Sequence, residues 1–541
     1  MKSTITQLLK HEVALHVKEA MFPVDANTYM AIGRPIRWGD EVDPELSTEI
    51  ENAVYSTVYR NQVFRDMIAI KKVQTADTAL VVPRIDWVTG IHYDAYTDQV
   101  DLASHLETLA LGTGDLTSAG TLITQNTARF SGNVSTGNLI YISSPQDGYK
   151  EIVSTGANTI TVNSNMVGEG GTYLNVALIR IVNTYPQFAN NFYVRNSKDQ
   201  VFKCLFNNHD GASTIEPTID IDGQLPENPY ILTGDSYKWK YLYTIPYGMK
   251  QKFFTASWMP AIVDNAVVAG AVDGRLDIIT INSGGTGYFL EGGESGNSNS
   301  LSIITVTGDG EGAVVTAKVQ SGVITDLNIL NGGTGYTTAN VTITAGANHV
   351  ANGNIASFSA IISPPGGHGS NPVTELGCYS VMTAVDFIGT ETDTIPVGTS
   401  VVPFDFRQIT LLSDPKLANG VYANASVYRM TTKLSLTDPG TSNYTNDETV
   451  YIGSSLALAN MTATVVNWDS STNELYVNNL AGNVVVGSTL TGNTSAATAT
   501  ILGETAPNIS LFTGELLYIE NRAKIVRDVD QTEQIRLVLS F

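Results

Sequence analysis

From Gln534 to Phe541 the residues change character one by one, with Ile535, Leu537, Leu539 and Phe541 alternating with Gln534, Arg536, Val538 and Ser540. A period of two is the signature of a half-buried strand. Four apolar residues on one face of a chain end are expected to dock in a sheet, closing a core begun much earlier. Before this strand, Leu516, Leu517, Tyr518 and Ile519 form an apolar run after the turn glycine Gly514. Asp528, Asp530, Gln531 and Thr532 supply polar turn chemistry between the two. The stretch from Gly514 to Phe541 therefore reads as two strands joined by a turn.

A chain of 541 residues has room for several domains and ample core without disulfide staples. Its two cysteines, Cys204 and Cys378, fit no disulfide framework or metal-knuckle spacing and read as reduced thiols packed as small hydrophobes. No apolar run approaches the ~18 residues of a membrane span. The charges and histidines scattered through the first 20 residues do not fit a signal peptide. Synthesis in a cytoplasm and no membrane insertion are the expectations. With 52 acidic against 30 basic residues the net charge is −22, which repels phosphate backbones and argues against a nucleic-acid partner. Only 15% of residues are charged while 48 are glycine, a balance that suits tightly turned β structure meeting protein neighbours.

Residues 1–20 read as a short helix capped by Ser3 or Thr4, with Ile5, Leu8, Leu9 and Val13 near one face. His11, Glu12 and His16 have H-E-x-x-x-H spacing, which puts the imidazoles about 140° apart on a helix and does not make a zinc site. Tyr29 opens a strand that turns at Gly33-Arg34-Pro35, and Pro44 opens a helix with Leu46, Ile50, Ala53, Val54, Thr57 and Val58 on one face. Arg84 and Asp86, two apart on a strand, share a side and read as a structural ion pair. Tyr237, Trp239, Tyr241 and Tyr243 alternate with Lys238, Lys240 and Leu242, an aromatic sheet face expected as core rather than a sugar platform.

Three segments break this pattern. Residues 113–182 alternate short strands with Ser-Thr-Gly turns. Residues 263–365 contain a repeat, in which the Gly-Gly-Thr-Gly-Tyr ending at Tyr288 recurs ending at Tyr336. Between the copies, 310–322 is expected to supply two strands and a turn. The glycine steps read as tight β-turns, since no Lys-Ser/Thr follows them and the aspartate of calcium repeats is missing. Repeats of one supersecondary unit are expected to share a core. His368, in the Pro/Gly-rich connector 363–377, reads as a loop residue with no acid or nucleophile at a recognisable spacing. Residues 434–511 hold two echoing hairpin units, and no Lys or Arg occurs between Lys433 and Arg522.

The blocks between these segments carry a resemblance. Gly514-Glu515-x-x-Tyr518-x-Glu520-Asn521-Arg522 with Asp530-Gln531-Thr532-Glu533-Gln534-Ile535 and Phe541 resembles the C-terminus of a baseplate wedge subunit of contractile-tailed bacteriophages. So do Gly33-Arg34 with Trp38, Val82-Pro83-Arg84-x-Asp86-Trp87, the blocks 191–196 and 201–208, Gly234-Asp235-x-Tyr237-x-Trp239, and Phe406-Arg407-Gln408-Ile409. They cover roughly 25–112, 185–262, 366–433 and 512–541, in the family's order. The fold class expected is mainly β, a multi-layer β-sandwich core with a few short helices, interrupted by three small β modules. The organisation expected is core 1–112, module 113–182, core 183–262, repeat module 263–365, core 366–433, module 434–511 and terminal strands 512–541. The resemblance implies a homodimer built with other baseplate wedge proteins into a virion's tail baseplate, with tail-fibre attachment proteins as further neighbours. It implies mechanical work, with no catalytic, metal or cofactor residue; Tyr237, Trp239, Tyr241 and the terminal strand serve as scaffold. The alternative is a tail-associated carbohydrate-binding or carbohydrate-degrading protein.

Overall fold

Thr28–Gly33 is buried at every position, so both of its faces are covered. It lies between Met67–Lys72 and Phe404–Ser413, all antiparallel. The computed structural model describes residues 7–21, 27–39, 57–96, 192–208, 211–219, 230–289, 297–344, 354–388, 394–396, 404–527 and 531–541, with short strands between 116 and 182. Among the described residues about half are strand and about a tenth helix, arranged as several sheets and a closed barrel. The architecture is mainly β, of the sandwich class. The chain divides into two compact units, one of residues 1–10, 82–250 and 254–378, the other of 11–81, 251–253 and 379–541.

In the first unit, Tyr193–Arg195, Gln200–Asn207, Tyr237–Thr244 and Ile231–Leu232 form an antiparallel sheet in that order. The strands between 116 and 182 form a seven-stranded sheet. The repeat module runs from Leu276–Ser283 to Ser357–Ile362, two strands that pair with each other. Glu311–Gln320 is one ten-residue strand, where two strands and a turn were expected. It pairs with Val323–Thr334 along its length. The turn comes at Ser321 and Gly322, both at positive φ (51° and 78°), the conformation of a tight hairpin turn.

In the second unit, the five-stranded sheet has the order Val427–Arg429, Met67–Lys72, Thr28–Gly33, Phe404–Ser413, Glu515–Arg527. Thr57–Asp66 is helical and turns Val63 and Phe64 inward, leaving Val58 81% exposed. The face expected from Leu46 to Val58 is thus corrected at Val58, and residues 44–56 lie outside the described residues. Thr432–Leu436, Glu474–Gly482, Met461–Asp469, Thr449–Ile452, Thr489–Gly492 and Thr498–Thr505 close a barrel around Leu434, Trp468, Val477, Leu490 and Ile501. Lys433 pairs with Thr505, so the two ends of the barrel segment emerge side by side.

Thr532–Ser540 pairs with Ser380–Ile388 over nine consecutive positions without a register shift. Glu515–Arg527 pairs instead with Phe404–Ser413. The two terminal strands therefore enter different sheets and do not form the strand pair expected of them; the turn residues 528–530 lie outside the described residues. Periodicity marks a strand but not its partner. Ile535 and Leu537 are buried, each a burial of roughly 1.5–3 kcal/mol. Deleting 535–541 would expose these contacts and leave Ser380–Ile388 with an open edge. Insoluble protein is the expected outcome in a sedimentation assay, whereas replacing 434–503 by a short Gly-Ser linker leaves the chain soluble. A soluble, cooperatively melting truncation would contradict this account.

Candidate functional site

Strand alternation places two kinds of side chain on opposite faces of Tyr237–Thr244. Tyr237 and Trp239 are fully buried, stacked at 5.4 Å, and share a cluster with Tyr93, Val194, Phe202 and Cys204. Tyr241 joins the same cluster, so the stripe is core. Tyr237 Oη donates to the Gly211 carbonyl at 2.5 Å. Tyr243, also buried, donates to the Pro260 carbonyl at 3.1 Å. Cys204 and Cys378 are buried free thiols, and burial pushes the Cys204 thiol up.

Lys240 is the cross-strand partner of Lys203, a like-charge pairing that needs anions nearby. Asp277, on Leu276–Ser283, supplies one for Lys240, and Glu375 of the connector supplies another. Lys203 Nζ lies 2.9 Å from Glu375 Oε2 and 3.3 Å from His368 Nδ1, with the Tyr96 ring 3.8 Å away. His368 Nδ1 also lies 3.3 Å from Glu375 Oε2. The side chains of Lys203, Glu375 and His368 are each at most 3% exposed. His368 lies in a turn of the connector, as expected; the contact with Glu375, seven residues on, is what its sequence spacing did not announce. Gly366, Gly367 and Gly369 all adopt positive φ, folding the connector so that the acid seven residues on reaches the ring. At Gly367 a Cβ would meet Val272 N and O at 2.5 Å, so only glycine fits there.

Burial, and then the Lys203 charge, push His368 down to about 4. Burial opposes the charge on Glu375, but Lys203 and His368 outweigh it and hold the carboxyl at about 2. Burial lowers Lys203 as well. An amine, an imidazole and a carboxylate in contact could exchange protons, but their burial offers a substrate no surface. The arrangement clamps the connector to the sheet.

A second ionic knot holds the edge of the same unit. Asp86 accepts from Arg195 Nε at 2.7 Å and from Arg84 Nη2 at 2.5 Å, which confirms the expected Arg84–Asp86 pair and adds a partner the sequence did not indicate. Burial opposes the Asp86 charge, but the two guanidinium groups hold its carboxyl below the usual range. The Arg84 and Arg195 guanidinium groups both lie over the Phe254 ring, at 4.4 and 4.9 Å. Asp235, in the Gly234-Asp235 block, accepts from Thr214 N at 2.7 Å, Ile215 N at 3.0 Å and the Thr233 hydroxyl.

In the second unit Arg34 adopts φ 53° and lays its guanidinium 3.6 Å above the Trp38 ring. Trp38 Nε1 donates to the Arg522 carbonyl at 2.8 Å. Arg407, 1% exposed in its side chain, donates to the Pro35 carbonyl at 2.6 Å and pairs with Asp405. Asn521 Nδ2 donates to Tyr59 Oη, and Gln408 Nε2 to Asn521 Oδ1. Arg527, fully buried, pairs with Glu533 and donates to the Phe387 and Ile388 carbonyls. On the first helix, His11 is buried and His16 exposed, so they face apart. Among the described residues no group of three His, Cys, Asp or Glu could hold a metal ion. No protein-family model matches the chain, and no curated protein matches it.

The His368 cluster makes stability pH-dependent with a defined sign. Unfolded His368 binds a proton below about 6.5 and the folded ring only below about 4, so stability falls as pH drops between them, on the order of 3 kcal/mol. Glu375 adds a further loss as pH falls from about 4.5 toward 2. Melting temperature of the full chain should decline from pH 7 to 4, and His368→Gln should flatten the first part of that decline. Glu375→Gln leaves Lys203 buried without its counter-ion and should destabilise by ~3–5 kcal/mol. Lys203→Met combined with Glu375→Leu should lose less than Glu375→Gln alone, as read by urea denaturation.

Proposed function

We propose that this chain is a structural baseplate wedge protein of a contractile phage tail. It holds neighbouring wedge proteins, takes part in baseplate assembly and moves as a rigid body or changes contacts when the baseplate switches state. The observation that carries this reading is where the resembling blocks lie. Gly33-Arg34 with Trp38, Phe406-Arg407-Gln408 and Glu520-Asn521-Arg522 meet in one knot of the second unit. Val82-Pro83-Arg84-x-Asp86 and the block 191–196 meet in another, in the first unit, where Arg195 reaches Asp86 and Tyr193 Oη donates to the Pro83 carbonyl. Blocks that persist because they brace a scaffold belong in such interlocking positions, while a chemical site would leave its groups open to a substrate.

On this reading the protein acts without catalysis, as a homodimer among other wedge proteins and tail-fibre attachment proteins, in the virion's tail baseplate. Its work is done by interfaces, for which permanent assemblies bury ~2,000 Å² or more. Co-expression with the other wedge proteins of the same phage tests the reading by native mass spectrometry. A complex containing two copies of this chain is expected. A monodisperse monomer that ignores every wedge protein would contradict it.

A further inference from the structure

The repeat module holds two matched corners that differ in one respect. Tyr288 N donates to the Gly322 carbonyl and Tyr336 N to the Gly274 carbonyl, both at 3.1 Å, so each Gly-Tyr turn closes on the start of the other copy. Gly274 and Gly322 both have positive φ, as do Gly285 and Gly333 and again Gly287 and Gly335. A Cβ on Gly285 would strike Asn354 O and Ala356 N, and one on Gly333 would strike Glu311 O and Ala313 N, at 2.5 to 2.7 Å. Gly285 N donates to Ser283 Oγ, and Gly333 N to Asn331 Oδ1. These matches set Arg275 against Val323, Glu311 against Asn354, Gly312 against Ile355 and Asn331 against Ser283.

The side chains have diverged where the backbones have not. Val323 packs its methyl over Gly284 in one corner, and the Arg275 stem lies over Gly332 in the other. Where the first corner carries Ile355, the second has Gly312 at φ 80° and no side chain at all. The second corner holds an open-sided groove of about 410 Å³ whose border adds Val272 and Gly333 to Arg275, Glu311, Gly312, Asn331 and Thr334. That volume falls within the ~300–1,000 Å³ of small-ligand sites. Exchanging Val and Ile for Arg and Gly removes apolar cover from a corner whose fold does not require the exchange.

We propose that this groove binds a sugar unit of a bacterial surface polysaccharide. Its border combines the Arg275 guanidinium and the Asn331 amide as donors with the exposed Glu311 carboxylate and the Thr334 hydroxyl oxygen as acceptors, the Thr334 hydroxyl hydrogen being given to the Asp273 carbonyl; this set matches the mixed donor and acceptor pattern of vicinal sugar hydroxyls. Arg275 Nε lies 2.9 Å from Asp277 Oδ1, an ionic contact that anchors the guanidinium beside the groove. Glu311 and the net charge of −22 disfavour a phosphate or other strong anion. The bacterial source of the sugar rests on the phage-tail reading, but the groove itself takes no part in assembly, so a failed glycan test and a failed assembly test are distinguishable.

The test uses the full-length chain on an array of bacterial O-antigen and capsular oligosaccharides, followed by calorimetry with the best-retained glycan. Glu311→Asn and Asn331→Ser each install the residue of the matching corner at an exposed position. Both should keep the melting temperature and lose at least tenfold in affinity, while Ile355→Ala in the other corner should leave binding unchanged. Retention of no glycan overturns the proposal. So does binding that survives both groove substitutions, or binding that is lost on Ile355→Ala.

Discussion

Pairing between strands far apart in sequence is the constraint on which everything else in this molecule rests. Thr28–Gly33 is completed by Phe404–Ser413, and Arg407 on that strand reaches the Pro35 carbonyl 372 residues away. One whole edge of Ser380–Ile388 is completed by the last strand of the chain. Such contacts repay the entropy of closing very long loops, so they must be numerous and correctly registered before the core holds. Continuous register over nine positions, with Arg527 buried against Glu533 at its edge, supplies that specificity.

The scarcity of charge gives the charges that remain a structural task. Each buried cation described above has a carboxylate or backbone carbonyls in reach: Lys203 with Glu375, Arg407 with Asp405 and Pro35, Arg527 with Glu533 and Phe387. Burying such pairs brings little net stability compared with apolar packing, but a wrong strand register would strand one of them without its partner. The ionic knots therefore select the register that hydrophobic burial alone would leave less sharply defined. The assembly role proposed above, which would require fixed surfaces for several neighbours, has use for that kind of rigidity.

Local features of the fold were legible in the sequence. The alternation from Gln534 to Phe541 marks a strand, the aromatic stripe from Tyr237 to Tyr243 marks a core face, and the recurrence of Gly-Gly-Thr-Gly-Tyr marks paired units. Features that depend on a distant partner were not. Lys240 reads only as a residue alternating with the aromatic stripe, and nothing near Lys203 in sequence marks its partners, because Glu375 and His368 lie 172 and 165 residues from it. His368 lies in the loop expected of it, but its contact with Lys203 was hidden for the same reason. The two terminal strands looked like a pair because a short polar turn joins them, yet their edges are satisfied by different sheets. The groove beside Gly312 could be found only after the backbone showed which residues of the two copies correspond.

Hydrogen–deuterium exchange of the full chain, followed by mass spectrometry, tests the closure most directly. Peptides from Thr28–Gly33, Phe404–Ser413, Ser380–Ile388 and Thr532–Ser540 should be among the slowest to exchange and should lose protection together as urea is raised. A terminal strand that exchanges freely while Ser380–Ile388 stays protected would contradict the account, because the core would then be closed without it.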